Sequence, residues 1–126
     1  MPIDDRYLHS DLTDKILACV HSVRSALGPG FAEKLYENAL VVELQTSGLS
    51  VMQQHPIRVY YKDILIGDYV ADLLVEEKVI VELKALESLS ELHDAQIINY
   101  LKLSGIRVGL LVNFGGRKLE WKRKIV

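Results

Sequence analysis

The segment Val79-Ile80-Val81-Glu82-Leu83 is apolar at every position but Glu82. A strand of that composition is stable only when both of its faces are covered, so it belongs at the centre of a sheet and not at an edge. Whatever precedes and follows it must supply that cover. From Asp11 to Leu27 the apolar positions Leu12, Ile16, Leu17, Val20, Val23 and Leu27 recur at spacings of three and four, which predicts a helix with one buried stripe. Gly28-Pro29-Gly30 breaks it. A second helix is expected from about Phe31 to Thr46, burying Phe31, Leu35, Ala39, Leu40 and Leu44, with Gly48 ending it in the left-handed region.

Two β-rich segments come next. Ser50 to Tyr61 and Ile64 to Val75 are rich in β-branched and aromatic residues, with Lys62-Asp63 as the turn between them and Pro56 pointing to an edge position for the first. After the central strand a third helix, capped by Ser88 or Ser90 and closed by Ser104-Gly105, draws apolar contacts from Leu92, Ala95, Ile97 or Ile98, Leu101 and Leu103. Arg107 to Phe114 and Lys118 to Val126 read as two more strands around a Gly115-Gly116 turn. The order ααβββαββ predicts an α/β fold, a mixed β-sheet flanked by helices, spanning residues 1–126 as a single domain.

The composition excludes several classes of function. Hydrophobic residues at 49% and charged residues at 25% fit a folded domain and not a disordered segment. The single cysteine, Cys19, cannot form an internal disulfide, and no Cys/His cluster has zinc spacing, so a reducing, cytoplasmic setting fits. Met1-Pro2-Ile3-Asp4-Asp5-Arg6 is acidic where a secretion signal is basic, and no apolar run approaches the roughly 20 residues of a membrane span. Fifteen Lys and Arg against seventeen Asp and Glu leave a net charge of −2, unlike a nonspecific polyanion binder. Five basic residues, Arg117, Lys118, Lys122, Arg123 and Lys124, still crowd the last ten positions, either as a phosphate-facing patch or as a solvated strand edge.

Chemistry concentrates between Ala71 and Lys84. Strands alternate faces, so Glu82 and Lys84 point one way and Leu83 the other. If Glu76-Glu77-Lys78 is a three-residue loop, Asp72 lies opposite Glu82 across the ladder, with about 5 Å between β-carbons; a two-residue loop would separate them. Two carboxylates so close repel, and a hard divalent cation such as magnesium resolves the repulsion through oxygen ligands. Lys84 beside them can orient a water and offset charge on a phosphate. On the second helix Glu33, Tyr36 and Glu37 share a flank, and on the third His93, Gln96 and Tyr100 share a face that can fold back over the end of the Glu82/Lys84 strand. His93 reads mainly as a structural helix histidine.

Gly30-Phe31-Ala32-Glu33-Lys34-Leu35-Tyr36, then Ala71-Asp72, Val81-Glu82-Leu83-Lys84-Ala85, and Ala95-Gln96 with Tyr100-Leu101-Lys102 resemble, in that order, the GxxExxY family grouped with the PD-(D/E)XK nucleases. The resemblance extends from about Leu8 onward. Ala71 stands where the superfamily's name has proline. The resemblance implies a restriction-endonuclease-like core and a metal-dependent nuclease that hydrolyses phosphodiester bonds. Magnesium or manganese would sit on Asp72, Glu82 and the Leu83 carbonyl. Lys84 would be the catalytic lysine, Glu33 or Glu37 the acid of the first core helix, and Gln96 with Tyr100 the motif that follows the lysine. Nucleic acid, DNA ahead of RNA, is the implied partner, and a homodimer is expected by analogy with nucleases that cut two strands. The rival expectation is a catalytically silent binding or assembly module on the same fold.

Overall fold

The computed structural model describes residues 5–126; the acidic start at residues 1–4 lies outside the described residues. After a 3-10 turn at Asp5–Tyr7, the elements run α1 (Ser10–Leu27), α2 (Glu33–Thr46), β1 (Val51–Tyr61), β2 (Ile64–Val75), β3 (Val79–Lys84), α3 (Glu91–Ser104), β4 (Val108–Asn113) and β5 (Glu120–Ile125). The strands form one five-stranded sheet in sequence order. All neighbours are antiparallel except β3 and β4, which run parallel because α3 carries the chain back between them. Pro56 lies on the edge strand β1, and β3, buried at all but its last residue, is central. Among the described residues no helix is long and apolar enough to cross a membrane.

The sheet divides the core into two halves. On one side Leu73, Val75, Val81 and Leu83 pack against Ile16 and Val20 of α1 and Leu40 and Leu44 of α2; on the other Ala71, Leu74 and Ile80 pack against Ile97 and Leu101 of α3. The helices bury less than their apolar residues suggest. Helix α2 begins at Glu33, so Phe31 and Leu35 are left 44% and 52% exposed, and the buried positions are Tyr36, Glu37, Leu40 and Leu44. Tyr36 takes the space: its ring stacks on Phe114 at 4.7 Å, and its hydroxyl donates to the Gly28 carbonyl at 2.5 Å. Leu92 and Leu103 of α3 are also exposed, leaving Ile97 and Leu101 to hold that helix down.

The basic residues near the C-terminus are engaged within the fold. Lys122 and Lys124 reach Asp94 of α3 at 2.8 and 3.6 Å, and Arg123 donates to the Leu8 and Arg6 carbonyls and to Thr13. Three of the five cations are thus used to tie β5 to its neighbours, and the phosphate-facing patch does not form from them.

The loop after Lys84 is fixed from β4. Fully buried Asn113 accepts the Leu86 and Gly115 N–H groups through Oδ1 and donates through Nδ2 to the Leu86 carbonyl and to Glu120. Gly115 passes so close that a β-carbon there would lie 2.5 Å from backbone atoms of Ala85 and Leu86. Backbone cannot swing aside as a side chain can, so Gly115→Ala is expected to cost about 3 kcal/mol or more, read as a lower midpoint in urea unfolding.

Candidate active site

The β2–β3 hairpin closes with the odd loop. Leu73, Leu74 and Val75 pair with Val81, Ile80 and Val79, while Glu76 and Glu77 take positive φ in the three-residue connection. This register brings Asp72 level with Glu82, but the ladder stops at Leu73↔Val81, one pair short of them. The reason is visible in the alternation. Ala71 and Leu74 pack on the α3 side while Leu73 packs on the α1/α2 side, so the period of two slips at Asp72. Its side chain takes over from the ladder: Oδ2 accepts the Leu83 N–H at 2.8 Å, and the Asp72 N–H points at Glu82 Oε1 at 3.3 Å. The neighbouring strand breaks at the same level. Gln54, flanked by the pairs Gln53↔Leu73 and His55↔Ala71, has φ 51, a left-handed conformation that costs a non-glycine residue about 1 kcal/mol or more.

That turn aims the Gln54 amide at two acids, donating to Glu37 Oε1 at 2.8 Å and to Asp72 Oδ1 at 3.3 Å. Glu37, only 2% exposed, also accepts from Gln53 at 2.5 Å and from Lys34 at 2.7 Å through Oε2. Glu33, one turn earlier on α2, lies nearer the surface. Its carboxyl is raised by burial first and then by the Asp72 charge, with Lys84 opposing. Both candidate glutamates therefore lie on the Asp72 side of the site.

Glu82 and Lys84 face the other way, onto a cavity of about 220 Å³ between β3 and α3 that Tyr69, His93, Gln96 and Tyr100 also border. Asp72 does not border it, because the slip in β2 turns its carboxylate toward Glu37 and Gln54. The two halves of the site meet where Asp72 touches Glu82.

Glu82 is 8% exposed, and its carboxyl is pushed up to about 8, by burial first and by Asp72 second. Asp72 is raised for the same leading reason, against the Leu83 N–H that favours its charged form. Tyr69 donates its hydroxyl to Glu82 Oε1, burial first and the Glu82 charge second hold the phenol well above its ordinary value, and its ring stacks on Tyr100 at 3.5 Å with 14° between planes. Tyr100 thus reaches Glu82 through Tyr69, and Gln96 stands exposed at the cavity rim.

Sequence reasoning missed Tyr69, Gln53 and Gln54. Nothing local marks Tyr69, because it acts through a hydroxyl whose partner is thirteen residues away. Gln54 needed its backbone conformation to be known.

Among the described residues no group of three or more His, Cys, Asp or Glu side chains gathers closely enough to hold an ion, so the donor set is a pair and not a cage. A pair fits one class of ion. The buried Glu82 carboxyl, forced toward protonation by burial first and by the Asp72 charge second, suits a hard cation that takes one or two carboxylates and keeps its remaining waters.

A family model described as the PD-(D/E)XK nuclease superfamily matches residues 10–124. No curated protein matches the chain significantly. Among solved structures, the crystal structure of SSO0001 shares the fold with a TM-score of 0.53 at 18% identity, over 95% of this chain. This chain spans 59% of the length of that one.

Proposed function

The chain belongs to the PD-(D/E)XK nuclease superfamily, and on that premise we propose that it hydrolyses phosphodiester bonds of nucleic acid at the cavity bordered by Glu82 and Lys84, with a magnesium or manganese ion held by Asp72, Glu82 and the Leu83 carbonyl. The observation that carries this reading is Asp72 placed against Glu82, its backbone N–H on Glu82 Oε1, with the Glu82 carboxyl driven up to about 8. Burying a carboxylate with too little positive charge beside it destabilises the fold, and such an arrangement is characteristic of sites in which charge is used.

When bound, a divalent cation supplies positive charge to the phosphate and acidifies a water. The chain's own groups do the rest. Lys84, at the end of β3, borders the cavity, where its ammonium can hold the attacking water and meet the developing negative charge. Glu37, fixed by two glutamine amides and Lys34, keeps Asp72 in place through Gln54. Glu33, with its raised carboxyl, is the acid of α2 better able to move a proton. Tyr69 orients Glu82, and Tyr100 braces Tyr69.

The proposal extends to the GxxExxY branch, to a single domain over the whole chain, to a cytoplasmic setting, to DNA ahead of RNA and to a homodimer. Gly30, Glu33 and Tyr36 support the first. Tyr36 bonds Gly28 and the Phe31 N–H at 3.2 Å, which fixes how α2 starts and so where Glu33 stands.

The test is a cleavage screen over single-stranded, double-stranded and branched DNA and RNA with magnesium or manganese, alongside calorimetric metal titration. Cleavage by the wild type that is lost in Glu82→Ala is expected. Metal binding without cleavage of any substrate would favour a silent binding module instead.

A further inference from the structure

His93 borders the cavity beside Glu82, Lys84 and Gln96, and neither the metal pair nor the lysine accounts for it. It is the third residue of α3, and its ring Nδ1 lies 3.0 Å from the Ser90 backbone nitrogen and 3.2 Å from the Ser90 hydroxyl, completing a capping box at the helix start. A backbone N–H can only donate. Nδ1 is therefore the acceptor, the ring's proton resides on Nε2, and the cap holds that tautomer and the plane of the imidazole together. Among the described residues Nε2–H has no protein acceptor. The half-buried ring thus borders the cavity and carries one donor, its orientation set by the cap, with no protein partner of its own among the described residues.

We propose that His93 is a substrate-binding residue of this site: its Nε2–H donates to a non-bridging oxygen of the phosphate under attack, and the α3 cap sets the direction of that bond. The proposal rests on the nuclease reading and adds to it a phosphate contact from the helix opposite Lys84. The role is hydrogen bonding and not proton transfer, because Nδ1 is occupied by the cap. A phosphate oxygen is an acceptor the site can take, since Lys84 borders the same cavity and offsets its charge.

Three variants separate capping from phosphate contact. Glutamine at the third helical position can both accept from the capping N–H and donate; glutamate accepts equally well but offers no donor; alanine does neither. Each is assayed by thermal unfolding and by cleavage of single-stranded and duplex DNA oligonucleotides with magnesium. H93Q and H93E are expected to unfold within a few degrees of the wild type. H93Q should retain cleavage to within about tenfold, whereas H93E, which loses the donor and adds a negative charge beside the phosphate, should lose about 10² to 10³-fold or more. H93A should lose both stability and cleavage. In the wild type, adding duplex DNA with calcium in place of magnesium should shift the His93 Nε2 resonance while the tautomer stays the same. Equal cleavage by H93E and H93Q, or an unshifted Nε2 resonance in a wild type that cleaves, would overturn the assignment and leave the nuclease reading standing. A wild type that cleaves nothing ends both.

Discussion

Replacing Lys84 by alanine is expected to lower kcat/KM for nucleic-acid cleavage about 10³-fold while leaving metal binding and the unfolding midpoint close to wild type. The two halves of that expectation have separate physical origins. Lys84 is held in place by backbone, since its carbonyl accepts the Phe114 N–H at 2.9 Å and the loop beyond it is fastened by Asn113. Its side chain is half-buried, borders the cavity, and forms no ion pair among the described residues. Truncation therefore removes an ammonium and leaves the strand intact. That ammonium acts on the acids around it: its charge opposes the rise of Glu82, Asp72 and Glu33 alike. Removing it withdraws the group able to hold a nucleophilic water. Lys84→Arg should recover little, because a planar guanidinium does not replace a compact ammonium within a 220 Å³ cavity. Single-turnover cleavage beside metal calorimetry gives the comparison. A K84A protein that cleaves within tenfold of wild type would remove Lys84 from the chemistry.

Features that depend on periodicity and chain geometry could be read from the sequence. The central placement of Val79–Leu83 follows from its having no polar face, the edge position of β1 from Pro56, and the odd hairpin loop, once formed, sets the Leu73↔Val81 register. Features that depend on a break in periodicity could not. Asp72 lies where β2 slips between the two sides of the sheet, and no pattern of apolar residues reports a slip of one position. Gln54 at φ 51 is the matching irregularity in β1, invisible because glutamine carries no preference for that conformation.

The choice between Glu33 and Glu37 failed for another reason. Both look like solvent-facing helix residues, and the burial of Glu37 follows from Gln53, Gln54 and Lys34 converging on it from sixteen or seventeen residues away on β1 and from one turn along its own helix. The basic run near the C-terminus left two readings open, a phosphate-facing patch or a solvated strand edge, and neither named the partners it has: Asp94 and the Leu8 carbonyl lie within reach and take up three of its charges. Charge density in a sequence states what must be compensated and not where the compensation comes from.

The acids at the site set a dependence on pH that runs opposite to ordinary acid denaturation. In the absence of metal, the stability of the folded chain is expected to fall as pH rises from about 5 to about 8. Glu82 has its carboxyl raised from the ordinary 4.5 to about 8, so across that window the folded state keeps a proton that the unfolded chain has released. Its contribution is therefore fully present below the unfolded value, declines through the window and levels off above about 8. One proton gives a limiting slope of about 1.4 kcal/mol per pH unit, and Asp72 and Glu33, both raised, act in the same direction. Glu82→Gln carries the protonated acid's shape and hydrogen-bonding capacity without its titration, so its stability should vary far less over the same range. Metal reverses the trend, because a cation needs the carboxylate that the metal-free fold resists forming, and its affinity rises as the proton leaves. The unfolding midpoint gained on adding magnesium should therefore be larger at pH 8 than at pH 6, and Glu82→Gln should abolish most of the gain. Thermal unfolding of both proteins at these two pH values, with magnesium and with a chelator, measures all four quantities. A wild type whose stability does not change between pH 5 and 8, or a magnesium shift that survives in E82Q, would mean that Glu82 is not the buried, ion-seeking carboxylate on which the site depends.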